Sequence, residues 1–134
     1  MPRNLARDLA QGRPPAPDAA TPASLRLRDE RLYALVLAYR LEGKGRAAPL
    51  LDFLAPAMVS RLGHYRDVPP GLGADDLSQQ MVVEVLRAAL TIPLPRGAEF
   101  LERRIILRAG QAMRRMLERE QRHRRRVRTG DEER

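Results

Sequence analysis

Arg104, Arg108, Gln111, Arg115, Arg119 and Arg122 follow one another at intervals of 4, 3, 4, 4 and 3 residues. At 3.6 residues per turn this spacing keeps all six on one face of a helix, over about 27 Å at 1.5 Å per residue. A guanidinium is permanently charged and presents a planar fork of donors that suits phosphate and carboxylate oxygens. Duplex DNA carries one phosphate charge per about 1.7 Å of axis, so several phosphates fall within reach of such a row. Arg103 and Arg114 flank it. From Arg103 to Arg128, eleven arginines stand against Glu118 and Glu120, a net charge of +9 that exceeds the +8 of the whole chain. A block of this kind points to an anionic partner, most often nucleic acid. The alternative is a solvated outer face that continues into a basic tail. Against it, the row meets no acid at i±4 until Glu118, where a helix laced with salt bridges would alternate in sign.

No residue set of comparable order suggests catalysis or metal binding. The chain has no cysteine, which excludes a disulfide scaffold and a thiolate nucleophile. Its two histidines, His64 and His123, lie 59 residues apart in sequence, a poor basis for a metal site. Asp75 and Asp76 diverge by about 100° on a helix and suit a cap better than a paired acid–base site. Glu99, Glu102, Glu118 and Glu120 lack convergent histidine or aspartate partners. Gly71 and Gly73 are not followed by the lysine of a phosphate loop. The expectation is a protein that is not an enzyme and needs no cofactor.

The elements that must carry these residues are helical. The chain has 134 residues, enough for one compact domain with tails. Residues 1–23 read as a disordered segment rich in Pro and Ala, because GRPPAPDAATPA has few large apolar groups to bury. Four apolar patterns with a 3.6-residue period follow, and none alternates as a strand would. The first helix is expected over about Leu25–Glu42, capped by Ser24 and stopped by Gly43, with Leu25, Arg28, Leu32, Leu35, Val36 and Tyr39 inward. The second is expected over about Ala48–Arg66, with a kink or break at Pro56. Leu50, Leu54, Met58, Leu62 and Tyr65 form its stripe.

The punctuation VPPGLG then precedes a third helix, capped by Asp75 or Asp76 and running to about Leu90. Its apolar face is Leu77, Met81, Val82, Val85, Leu86 and Ala89. TIPLPRG separates it from the fourth helix, about Ala98–Arg122, whose inward residues are Leu101, Ile105, Ala109, Ala112, Met113 and Met116. Residues 123–134 read as a basic, then acidic, tail. The expected fold is all-α, a small bundle of about four helices over residues 24–122 with disordered termini. No apolar run approaches the roughly 18–20 residues that span a bilayer, and the N-terminus lacks a secretory apolar core. A cytoplasmic location with no membrane partner is expected.

The segment ADDLSQQMVVEVLRAAL (74–90) resembles the second conserved region of bacterial sigma factors, whose helix typically reads A-E-D-L-V-Q-E-V-F-L-R. Asp76, Leu77 and Gln79 fall on matching positions. The block RGAEFLERRIILRAGQAMRRMLEREQRHRRR (96–126) resembles the next helix as written in some extracytoplasmic-function sigma factors. Arg96, Phe100, Ala112, Met113, Arg114, Arg115 and Leu117 match. Upstream, LLDFLAPAMVSRLGHY is similar to the preceding helix. Phe100 and Leu101 stand where the family usually places aromatic residues.

The resemblance implies a region 2-like domain with two contacts. Asp76, Gln79, Gln80, Glu84 and Arg87 would dock on the clamp helices of the largest subunit of core RNA polymerase. Arg96, Arg104, Arg108, Arg115, Arg119 and Arg122 would hold promoter DNA at the −10 element. Family members continue into a helix-turn-helix module, which these 134 residues do not include. On the resemblance the chain is a truncated piece of a longer factor, a stand-alone polymerase-binding domain, half of a split factor or a degenerate relative; a separate helix-turn-helix subunit or an anti-sigma factor is among the partners this allows. A small helical adaptor, or a non-specific nucleic-acid binder using the arginine face, is the alternative from a different class.

Overall fold

The computed structural model describes residues 21–65, 68–94 and 98–132, with side chains through Val127. Among the described residues it is all-helical. Four α-helices follow in order: α1 (Pro22–Glu42), α2 (Ala47–Leu62), α3 (Ala74–Thr91) and α4 (Leu101–Glu132). A short 3-10 turn, Gly43–Arg46, joins α1 to α2. The expected bundle of about four helices is what the chain forms. The expectation for residues 1–20 lies outside the described residues.

Several boundaries differ from expectation, each for a local reason. α1 begins at Pro22 because Thr21, not Ser24, is the cap: its hydroxyl oxygen accepts from the Ser24 N–H at 3.1 Å. Proline suits this first turn, whose N–H groups have no helical partner. Pro22 and Ala23 are thus helical, not part of a disordered segment. Gly43, at φ 75°, ends α1 as expected. α2 runs through Pro56 without a break. Pro56 is exposed, so the carbonyl it leaves without an N–H lies on the solvent side. α2 ends at Leu62, before the expected Arg66.

Gly73 caps α3, and Asp76 supports it from the third helical position, where its Oδ2 accepts from the Gly73 N–H at 2.9 Å. The two acids of the first turn, Asp75 and Asp76, complement the positive end of the helix dipole. α4 starts at Leu101 and continues to Glu132, so residues 123–132 extend the helix and are not a separate tail. Arginine is a good helix former, and a helix already nucleated propagates through Arg124, Arg125, Arg126 and Arg128.

The core draws on all four helices. Leu32, Val36 and Tyr39 of α1 meet Leu50, Leu54 and Met58 of α2, Met81, Val85 and Ala89 of α3, and Leu101, Ile105 and Met113 of α4. Leu25 and Arg28 were expected inward but are exposed, so the buried stripe of α1 begins at Leu32. Arg28 instead ties three helices at the rim. It donates to Glu102 Oε1 at 2.7 Å and lies 4.8 Å from the Phe53 ring centroid.

Arg40 has a larger structural role than its sequence context suggests. Its Nε donates to the Ala89 carbonyl at 2.7 Å, and its Nη2 donates to the Ile92 carbonyl. These carbonyls end α3, where a cation is favoured by the helix dipole. Replacing Arg40 by methionine keeps most of the apolar stem and strips both bonds. The expected cost is about 1–3 kcal/mol, read as a lower urea midpoint at unchanged m-value.

Candidate nucleic-acid interface

α4 is the scaffold of the basic surface. Its inner face is fixed by Leu101, Ile105, Ala109 and Met113, all buried, with Leu117 at the end of the core. α3 packs antiparallel along one flank: Arg104 Nη1 donates to the Pro93 carbonyl at 3.1 Å near one end, while Arg124 reaches Gly71 near the other. α2 packs against α4 on the side of Arg103 and Arg114, which share clefts with Arg61. The periodicity that buries Ile105 and Met113 leaves Arg108, Gln111, Arg115, Arg119 and Arg122 exposed.

The row does not stand alone. Arg108, Arg115 and Arg119 join Arg87 of α3 along a cleft of about 350 Å³ between the two helices, with Glu84 and Thr91 also lining it. A neighbouring cleft of about 600 Å³ shares Arg108 and Arg115 and runs on toward Ile92, Pro93 and Arg104. The two make one continuous groove. Among the described residues, Arg108, Arg115, Arg119 and Arg122 have no ion-pair partner. Their charge is therefore not neutralised within the fold.

Among the described residues Glu84 is the one carboxylate of the first cleft. It is 6% exposed, and it accepts from Gln80 Nε2 and Arg87 Nη1, both at 3.0 Å. A buried carboxylate needs such donors, because without them its desolvation would be costly. The pair also fixes Arg87 at the groove edge. Against four guanidinium groups, a single carboxylate leaves the cleft strongly positive.

The residues expected to bind DNA therefore divide. Arg108, Arg115 and Arg119 share one cleft, and Arg122 continues the exposed line beyond it. Arg104 is half-buried and bonded to the Pro93 carbonyl, so it braces the α3–α4 connection. Arg96 lies outside the described residues. Spacing alone placed Arg104 in the row; it could not show that the chain doubles back beside it.

The residues expected to bind polymerase divide too. Asp76 and Gln79 are exposed on the outward face of α3, together with Val83 and Leu90. Gln80 and Glu84 turn inward to each other, and Arg87 belongs to the basic groove. Val83 and Leu90 were absent from the sequence-based set, although their offsets of 7 and 14 residues from Asp76 put them on its face.

Phe100 precedes α4 with φ 55°, a left-handed conformation that is rare for a bulky residue, and the residue is 63% exposed. The neighbouring Leu101 is fully buried. Only Phe100 of this pair is available for stacking.

Among the described residues there is no cluster of His, Cys, Asp and Glu able to hold a metal ion, and no helix is long and apolar enough to cross a membrane. Comparison with models of known protein families, with curated proteins and with solved structures returned no match.

Proposed function

We propose that this chain is a sigma-factor-like transcription-initiation domain that holds promoter DNA through the α3–α4 groove and core RNA polymerase through the outward face of α3. The observation that carries the nucleic-acid half is the convergence of Arg87, Arg108, Arg115 and Arg119 on one cleft with a single carboxylate. Phosphates are the ligand that such a row of fixed forks suits best. The polymerase half rests on the resemblance of residues 74–90 and on the outward placement of Asp76 and Gln79. Phe100 supplies an exposed ring on which one base can stack, worth about 1–3 kcal/mol.

The test uses the purified chain and core polymerase. Co-elution on size exclusion is expected, and the double variant Asp76→Asn/Gln79→Ala should lose it. Asparagine keeps an acceptor for the Gly73 N–H, so the start of α3 stays capped. The same variant should bind a −10-containing duplex as well as the parent does. Absence of co-elution by the parent chain would remove the polymerase half.

One observation favours a second reading, a non-specific nucleic-acid binder. Among the described residues arginine is the only cationic side chain in the groove, and phosphate contacts carry no sequence information by themselves. That protein would bind any duplex alike and would ignore polymerase.

A further inference from the structure

α4 carries arginines on its other flank as well. Two adjoining clefts of about 470 and 410 Å³ run between α2 and α4, and Arg61 and His64 line both. Arg114 lines the first and Arg103 the second. Arg61 is seated deeply against the backbone of Gly110. A Cβ at that position would stand 2.5 Å from Arg61 Nε, so the approach requires glycine. Arg61 Nε is buried and has no hydrogen-bond partner. Among the described residues neither Arg103 nor Arg114 has an ion-pair partner. Of the two acids in these clefts, Glu102 is held by Arg28 at 2.7 Å, which leaves Glu118. This flank is thus positive in its own right.

Helix geometry relates the two flanks. At 100° per residue, Arg108, Arg115 and Arg119 fall within about 40° of one another, while Arg103 and Arg114 point about 130° away. The arc between them is open to solvent and carries Leu107, Gln111 and Glu118. A single strand lying along one flank cannot also follow the other. A duplex can meet both, because its major groove is about 12 Å wide and admits an α-helix whose diameter is about 10–12 Å.

We infer that α4 lies in the major groove of a DNA duplex, its two arginine flanks gripping opposite strands. The inference rests on the nucleic-acid half of the proposed function and deepens it. Arg108, Arg115 and Arg119, with Arg87, take the phosphates of one strand. Arg103 and Arg114 take those of the other, and Arg61, seated behind them against Gly110, adds its charge to that flank. The side chains on the arc are of types that meet base edges: glutamine pairs with adenine, glutamate accepts from the cytosine amino group, and an apolar group packs on the thymine methyl. Glu118, unfavourable beside phosphate, is accommodated at the groove floor.

The experiment measures log K against log salt for a mixed-sequence duplex of ~20 base pairs, roughly two helical turns, and for one of its separated strands. The probed variant is Arg103→Ala/Arg114→Ala, whose side chains are exposed and unbonded. Its slope on the duplex should shrink by about 2 relative to the parent chain, at about 0.9 per phosphate contact, and its slope on the strand should not change. Arg103→Lys/Arg114→Lys should restore most of the duplex slope. An unchanged duplex slope overturns the inference, as does an equal loss on duplex and strand, which would mean one strand crosses both flanks. A parent chain that binds neither probe in a salt-dependent way overturns the nucleic-acid half of the proposed function itself, a separate outcome.

Discussion

Replacing Arg108, Arg115 and Arg119 together by alanine is expected to reduce the slope of log K against log salt for duplex DNA by about 2.7. Each guanidinium that meets a phosphate releases condensed counterions, and three such contacts are removed. Extrapolated from 1 M salt, the same change weakens binding roughly 10²–10³-fold near 0.1 M. The fold should survive. All three side chains are exposed on α4 and have no ion-pair partner among the described residues, and alanine is the strongest helix former. Self-repulsion in the cleft with Arg87 also falls, so the urea midpoint should stay level or rise. Weaker binding with undiminished stability separates a ligand-facing row from a structural one. A slope equal to that of the parent would sink the groove as the binding site.

Ile105→Ala is expected to lower stability by about 2–5 kcal/mol. Ile105 is fully buried on the inner face of α4, within the cluster that joins all four helices. Truncation removes apolar burial and leaves a cavity that close-packed neighbours fill only in part. Domains of this size hold only about 5–15 kcal/mol in total, so the variant loses a large share. Its Tm should fall by roughly 8–40 °C, at about 4–8 °C per kcal/mol. Leu41→Ala is the matched control: Leu41 is 85% exposed, and its Tm should hardly move. Comparable losses at both positions would mean that the α1 surface is buried in an assembly in solution.

Helix number and order were legible from apolar spacing. Leu50, Leu54 and Met58, or Leu101, Ile105 and Met113, recur at helical intervals wide of any strand pattern, and all are buried. Helix ends were less legible. Thr21 and Ser24 are both good caps, and the choice depends on which hydroxyl meets which N–H. Asp76 reads as a cap in sequence, yet it serves from inside the first turn, because Gly73 adopts the extended conformation of the cap itself. Pro56 signals a break unless its position on the outer face is known. Glu84 is the clearest misreading. The resemblance assigned it to a polymerase contact, whereas it is buried between Gln80 and Arg87.

Period and charge are properties of consecutive residues, and from them come four amphipathic helices and a net excess of arginine on the last. What the linear order could not supply is who stands beside whom. Arg87 meets the row only because α3 and α4 run antiparallel, Arg40 reaches the end of α3 across 49 residues of chain, and Arg61 finds its seat because Gly110 lacks a side chain. Such pairings follow from which buried faces pack together. No local spacing records that choice, since the free energy that selects it is shared among residues far apart in sequence.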